Sequence, residues 1–517
     1  MGRRIVFHLT DSGAPPGSWT VTVRDRDREP DGHPVDGKLN SNGAVMQPDT
    51  SQPNHPATPT PVDLSQGIGP DLGTAAGRRE IRNATAASAM GNLTEWFDYG
   101  VYAVAVSYIA VHFFPTEGGT LMALGTFALS FLVRPLGGLV WGPLGDRMGR
   151  KHILALTILM MSLATFLIGV MPTFDQVGVL APVLLVLLRM VQGFSTGGEY
   201  GGAATFMAEY SPDKKRGFFG SFLEFGTLGG FALGTAVMLG FQVALSEEAM
   251  MAWGWRVPFM LALPMGLIGL YLRNKLEDTP VFQELEERGE VQERSSLFEL
   301  IRTYWRPMLI MSGLVIALNV VNYTLLSYMP TYLEGQLGLD PKASLMVILI
   351  GEVAMMAVIP FAGSLSDKVG RKPLWFASLI GLFVLALPLF WLMGRSFPLA
   401  ILGFAILGLL YIPQLATITA TFPAMFPSHV RFAGFAVTYN VATAIFGGTA
   451  AMVNEAVINK TSFLLFPAVY MMVACAIGLV ATRYLPETAG ASLRGTQIPD
   501  AHETGILADT GAADART

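Results

Sequence analysis

The chain has little charge and almost no cysteine. Only 14% of its 517 residues are Asp, Glu, Lys or Arg, against about 25% in an ordinary soluble chain. The single cysteine, Cys475, excludes an intrachain disulfide and a cysteine-built metal site. The seven histidines are scattered and lack a zinc spacing such as H-E-x-x-H. Gly197-Gly-Glu-Tyr-Gly-Gly202 has no Lys-Ser/Thr after it, so it is not a phosphate loop. No nucleophile–base arrangement stands out. The composition therefore points away from an enzyme, a metal, a cofactor or a nucleic-acid partner. The net charge of −5 says little, because charge distribution matters more than its sum.

Apolar residues make up 51% of the chain. Runs long enough to span a bilayer recur from Ala84 to Tyr484. Twelve apolar segments are expected, near 84–112, 119–143, 153–172, 178–208, 218–244, 254–273, 307–333, 343–364, 373–393, 398–424, 432–456 and 463–484. The fold class expected is an all-α membrane protein with twelve transmembrane helices in a 6+6 arrangement. The domains follow: a disordered cytoplasmic extension over 1–80, helical bundles over 81–275 and 307–486, a cytoplasmic linker over 276–306, and a disordered tail over 487–517. The extension is polar and rich in Pro, Asp and Gly. It lacks the apolar core of a signal peptide, and Met46 is an alternative start.

The ten residues Gly142-Pro-Leu-Gly-Asp-Arg-Met-Gly-Arg-Lys151 return as Gly363-Ser-Leu-Ser-Asp-Lys-Val-Gly-Arg-Lys372. Glu209-Tyr-Ser-Pro-Asp-Lys-Lys-Arg216 parallels Met425-Phe-Pro-Ser-His-Val-Arg431, and Leu276-Glu-Asp-Thr-Pro280 parallels Leu485-Pro-Glu-Thr488. The offsets are similar, which marks a duplication. Duplicated halves around a central site are the usual build of secondary transporters. Basic residues collect in alternate loops, at Arg78, Arg79, Arg82, Arg147, Arg150, Lys151, Lys214, Lys215, Arg216, Lys368, Arg371 and Lys372. Such loops stay cytoplasmic, so both termini are expected inside a multi-pass plasma-membrane protein.

Polar residues inside the apolar segments are the candidate site. Glu95 and Asp98 fall near mid-bilayer in the first segment, and Tyr99 and Tyr102 share their face. Intramembrane carboxylates are costly and face a cavity or a partner. They are candidate proton carriers, with Glu199 and Glu224 as further ones. The alternative is a structural charge pair with Arg134 or Arg189. Arg189, Gln192, Thr196, Glu199 and Tyr200 form one stripe in the fourth segment. Arg189 is either a substrate carboxylate ligand or a counter-charge for Asp98 or Glu199. Gly193, Gly197, Gly201, Gly226, Gly230 and Gly234 repeat every four residues, which suits close helix approach. The seventh segment replaces the acids of the first with Asn319, Asn322 and Tyr323, followed by Tyr328 and Tyr332. The first half would couple protons and the second would hydrogen-bond substrate; interhelical packing is the plainer alternative. Candidate substrate contacts are Trp96, Tyr99, Tyr102, Arg134, Arg189, Gln192, Asn319, Asn322, Tyr323 and Tyr328. Glu352 and Glu455 rank lower.

The doubled signature loop resembles that of the major facilitator superfamily. Met90-Gly-Asn-Leu-Thr-Glu-Trp-Phe-Asp-Tyr-Gly-Val-Tyr102, Arg134-Pro-Leu-Gly-Gly138, Gln192-Gly-Phe-Ser-Thr-Gly-Gly-Glu-Tyr200 and Trp253-Gly-Trp-Arg-Val-Pro258 resemble its metabolite:proton symporter family. Within it the likeness is greatest to the proline/betaine (osmolyte) symporters, on Ala208–Phe218 and Phe422–Arg431. The resemblance implies proton-coupled uptake of a small zwitterionic osmolyte by alternating access, with the proton as coupling ion and a functional monomer. It also implies a gating role for Asp146, Arg150, Asp367 and Arg371. Symport of organic acids such as 2-oxoglutarate, citrate or shikimate, a purely passive carrier, and a non-transporting sensor stand as alternatives. Some proline/betaine members carry a C-terminal coiled coil implicated in osmosensing; the tail after Glu487 has no heptads.

Overall fold

The computed structural model describes residues 6–10, 20–24, 72–148, 150–274, 297–427 and 430–493. Residues 1–63 and 64–517 are separate units. In the first, Val6–Thr10 pairs antiparallel with Thr20–Arg24, with Val6 opposite Arg24. This ladder corrects the expectation of disorder throughout 1–80, and the first helix begins at Ala75. Alternating Val, Phe, Leu and Thr side chains favour such strands.

Among the described residues of the second unit, every regular element is a helix. Its main helices are α1 (Ala75–Val104), α2 (Val106–Phe113), α3 (Gly119–Met148), α4 (Arg150–Val170), α5 (Leu180–Thr196), α6 (Glu199–Tyr210), α7 (Arg216–Ala244) and α8 (Ala262–Asn274). The second set is α9 (Leu297–Asn322), α10 (Pro341–Val369), α11 (Arg371–Met393), α12 (Phe397–Thr421), α13 (Arg431–Phe446), α14 (Gly448–Thr461) and α15 (Phe466–Arg483). Among the described residues, nine helical stretches are long and apolar enough to cross a bilayer. They correspond to all the expected segments but the first, third and sixth. The first of these carries Asn92, Glu95 and Asp98; the sixth is cut into short pieces before α8. Most of the expected linker, 276–306, lies outside the described residues.

Several segments expected as continuous helices are broken. The chain leaves helical geometry at Ala105 between α1 and α2, and Gly197–Gly198 form a turn, still in the right-handed helical region, between α5 and α6. Gly447 separates α13 from α14. After α9, residues Tyr323–Tyr328 and Tyr332–Gln336 widen into π-helix. Such interruptions in membrane helices concentrate at binding and transport sites.

The two sets meet along α7 against α10 and along α3 against α13 and α14. Small residues set the spacing within the first set. A Cβ on Gly230 would stand 2.6 Å from Leu93 O and Phe97 N, so α7 touches the α1 backbone directly. Gly193 and Gly197 likewise lie on the α3 backbone at Ser130 and Arg134, whereas Gly201 faces Ala436.

The tail also departs from expectation. Glu487–Leu493 is described and mostly buried, not disordered. Leu493 packs with Ala208 and Ala424. Arg216 donates to Ala491 O at 3.1 Å and Arg431 to Leu493 O at 2.7 Å. Two buried guanidinium groups need acceptors, and this strap supplies backbone carbonyls to both.

Candidate functional site

Three polar groupings lie within the apolar bundle. The first centres on Asp98 and Arg189. Their nearest charged atoms are 3.6 Å apart, and both side chains are buried. Thr165 and Gln192 donate to Asp98 Oδ1 at 2.5 and 2.9 Å. Arg189 donates to Gln192 Oε1 at 2.9 Å and to Ser130 at 3.3 Å, and its guanidinium lies 4.2 Å from the Tyr102 ring centre. A buried charge is tenable when paired and hydrogen-bonded in this way. Arg189 is thus the counter-charge of Asp98, and Gln192 belongs to the same network. Tyr102 turns its hydroxyl into the Ala123 carbonyl at 2.9 Å.

The second grouping surrounds Arg134. It donates to the Tyr99 hydroxyl at 2.6 Å and lies 4.4 Å from the Phe131 ring centre. Glu95 is buried and within electrostatic reach of Arg134. The sequence puts Glu95 and Asp98 together as mutually repelling acids; the structure turns them toward different arginines. Three helical residues offset a side chain by only about 60°, so it is the neighbouring helices' arginines that divide the two acids. Tyr323 joins Phe131 edge-on at 5.0 Å, at the contact between the two sets of helices. Glu199 is buried at the start of α6, beyond the helix break, so the expected single stripe is interrupted.

The third grouping surrounds a narrow interior space, with room for little more than a water molecule. Trp96 and Glu224 come from the first set of helices; Asn319, Asn322, Tyr411 and Tyr439 come from the second. Tyr200 and Thr227 donate to opposite oxygens of Glu224 at 2.5 and 2.8 Å. Tyr200 stacks on Tyr439 at 4.7 Å. Asn92 fixes Thr227 at 2.6 Å and accepts from the Trp96 indole at 3.1 Å. Tyr411 donates to Asn322 Oδ1 at 2.9 Å, and Asn319 donates to Thr443 at 2.9 Å. Aromatic faces, one carboxylate and two amides therefore converge on one small space. Tyr200 belongs to the stripe expected in the fourth segment, whereas Asn92, Thr227, Tyr411 and Tyr439 were not expected as site residues. Their only signal was polarity within apolar runs. Tyr328 is elsewhere, donating to Glu455 at 2.8 Å.

The repeated loop does different work. Asp367 accepts from the backbone N–H groups of Gly217 and Phe218, both at 2.8 Å, at the start of α7. Arg371 donates to the same carboxylate at 2.8 Å. An acid at a helix N-terminus meets unsatisfied N–H groups and the positive end of the dipole. Glu487 does the same for α11, accepting from Arg371 N and Lys372 N at 3.0 Å. Gly370, at φ +96°, makes room for it, since a Cβ there would stand 2.5 Å from Glu487 Oε2. The Asp146 and Arg150 side chains lie outside the described residues. Among the described residues, no cluster of His, Cys, Asp or Glu has a metal-holding arrangement.

A membrane bundle with buried ion pairs, broken helices and a polar space between duplicated parts defines a secondary transporter. The profile of the family described as "Sugar (and other) transporter" matches residues 84–498. The chain is 43% identical over 431 residues to the glycine betaine/proline/ectoine/pipecolic acid transporter OusA of Dickeya dadantii, covering 80% of this chain and 85% of that protein. It is 42% identical over 432 residues to the proline/betaine transporter of Escherichia coli K12, with the same coverage. The solved proton:xylose symporter XylE, bound to 6-bromo-6-deoxy-D-glucose, superposes with a TM-score of 0.66 at 19% identity, over 80% of this chain and 98% of that one. The chain belongs to the major facilitator superfamily, in its metabolite:proton symporter family, close to the proline/betaine transporters. It is a multi-pass membrane protein and not an enzyme.

Proposed function

We infer that the protein takes up a small zwitterionic osmolyte of the glycine betaine/proline class together with a proton, by alternating access of two six-helix halves. The observation that carries this reading is the composition of the central space: Trp96, Tyr411 and Tyr439 beside Glu224, with Asn319 and Asn322 among its lining. Aromatic faces and a carboxylate attract an ammonium group. Amide N–H groups suit a carboxylate. Arg134 and Arg189 already face Tyr99 and Asp98, which weighs against a dicarboxylate held by both.

Asp98, paired with Arg189 and held by Thr165 and Gln192, is the leading proton carrier, with Glu95 second. Glu224 is better suited to the solute cation than to the proton relay expected from sequence, and Glu199 ranks below both. Protonating Asp98 would release Arg189 and loosen α1 from α5. Asp367 with Arg371 would close one face of the bundle, and Asp146 with Arg150 the corresponding loop of the other half. The alternation of basic loops supports a plasma-membrane protein with both termini cytoplasmic, working as a monomer. A potential of 100 mV supplies roughly 2.3 kcal/mol per charge, or about a 50-fold concentration ratio, enough to accumulate an osmolyte.

The test is uptake of labelled betaine, proline and 2-oxoglutarate into proteoliposomes, with and without a pH gradient. Gradient-driven accumulation of betaine or proline is expected. Preference for 2-oxoglutarate, or indifference to the gradient, would overturn the reading.

A further inference from the structure

Glu352 is the buried acid that this mechanism does not use. It is fully buried on α10. Eleven residues separate it from Pro341, the start of α10. At about 1.5 Å per residue that is roughly 17 Å, close to the middle of a 30 Å hydrocarbon layer. Gly351 beside it packs on Phe404 of α12. Glu352 itself stands toward Thr235 of α7, across the seam between the two sets of helices. Thr235 is its hydrogen-bonding neighbour, and among the described residues no cation is paired with it.

Its surroundings bring no cation. The elements packed on α10 are α7, α11 and α12, the short helix Met329–Thr331 and the π-helical turn before it, and the turn Asp213–Lys215, whose Asp213, Lys214 and Lys215 lie beyond the Arg216 end of α7. Among titratable groups, α7 carries Arg216 and Glu224, α12 only Tyr411, and the π-helical turn Tyr332 and Glu334. Arg371 and Lys372 lie at the far end of α11. Arg216 is nineteen residues from Thr235, about 28 Å along the helix. Among the described residues, none of these forms an ion pair with Glu352.

Thr235 completes the argument. Its hydroxyl donates to Phe231 O at 3.0 Å. That hydroxyl also faces Glu352, and its single proton can serve only one of the two acceptors. An ionised carboxylate has only lone pairs, whereas a carboxylic acid has an O–H to give. An ionised carboxylate buried in this seam without a cation carries a large desolvation cost. Separation of α7 from α10 would admit water and remove that cost.

We propose that Glu352 is a second proton-binding site, located at the α7–α10 seam, and that its protonation permits the seam to close. The coupling rests on the transport function above; the protonation itself does not. Three measurements test it on the full chain. In infrared spectra of the reconstituted protein at neutral pH, the wild type shows a buried carboxylic-acid carbonyl band that Glu352→Gln removes. Dicyclohexylcarbodiimide, which attacks protonated carboxyl groups in apolar surroundings, labels the peptide containing Glu352 in the wild type, and alkaline pH suppresses the label. In transport, Glu352→Gln keeps solute exchange within about twofold and lowers proton-driven accumulation at least tenfold. Absence of the carbodiimide label, an infrared band unaltered by the substitution, or unchanged accumulation by Glu352→Gln would each overturn the proposal. Loss of proton coupling in the wild type would instead overturn the transport reading and leave the infrared and labelling results standing.

Discussion

Arg216 and Arg431 occupy equivalent places in the two halves. Each donates its Nε to the carbonyl eight residues upstream, Ala208 and Pro423, at 3.1 Å. Each also reaches the same C-terminal strap, at Ala491 and Leu493. The strap thus ties both halves at one end of the bundle, and Arg431 adds a 2.9 Å ion pair to Glu209 of the first half.

The wedge in this tie is Leu493, buried with Ala208 and Ala424. Leu493→Ala removes its buried contacts and lowers the stability of the closed end by about 2 kcal/mol, roughly a 30-fold population shift. Spin labels placed on α6 and α12 near that end will report a longer distance in the variant. An unchanged distance distribution would show that the strap does not hold the halves.

Asp367 makes a related prediction. It satisfies two N–H groups of α7 and the buried Arg371 together. Asp367→Ala leaves Arg371 without this partner, a loss of roughly 3–5 kcal/mol for a buried pair. Asp367→Asn keeps part of the hydrogen bonding and loses less. The expected order of uptake is wild type, then Asn, then Ala, with at least a tenfold fall for Ala at equal membrane abundance. Equal uptake in all three would remove the latch role.

Much of this end was legible in the chain. The doubled loop and the parallel Arg216 and Arg431 sequences show duplication directly, because a repeat needs no three-dimensional information. The central space was less legible. Trp96, Asn319 and Asn322 stood out as polar or aromatic residues at helical spacing, but Tyr411 sits alone in an apolar run and Tyr439 in the short polar trio Thr438-Tyr-Asn440. Only the packing of α12 and α13 brings them to Glu224. Periodicity also misled at Glu95 and Asp98, since residues three apart on a helix can enter different environments. The helix breaks at Ala105 and Gly447 left no punctuation strong enough to read, as single small residues are common within membrane helices.

The Asp98–Arg189 pair separates stability from coupling. Arg189→Ala leaves Asp98 buried without its ion pair and destabilises the protein by roughly 3–5 kcal/mol. Asp98→Asn leaves Arg189 equally unpaired. The double variant Asp98→Asn/Arg189→Gln removes both charges and recovers most of that loss, a coupling that a double-mutant cycle measures. Thermal unfolding in detergent gives the stability, and proteoliposome assays give transport. The double variant is expected to exchange solute across the membrane and to lose accumulation against a gradient. Uphill uptake by the double variant would mean that the proton travels elsewhere.

Tyr411 tests which end of the solute the central space recognises. Its ring lines the space, and its hydroxyl holds Asn322 Oδ1 at 2.9 Å. Tyr411→Phe keeps the ring and frees the amide, so the carboxylate end loses its fixed donor while the ammonium end is unchanged. Tyr411→Leu removes the ring as well. A cation–π contact contributes about 0.5–2 kcal/mol, so KM for betaine should rise roughly threefold to thirtyfold beyond the Phe variant. Glu224→Gln should weaken betaine and proline alike, because it removes the carboxylate that faces the cation. The discriminating comparison is a neutral solute of similar size, which none of the ring or charge changes should affect by more than about twofold. Equal losses for the neutral solute and the zwitterions would show that Tyr411 shapes the space without recognising charge.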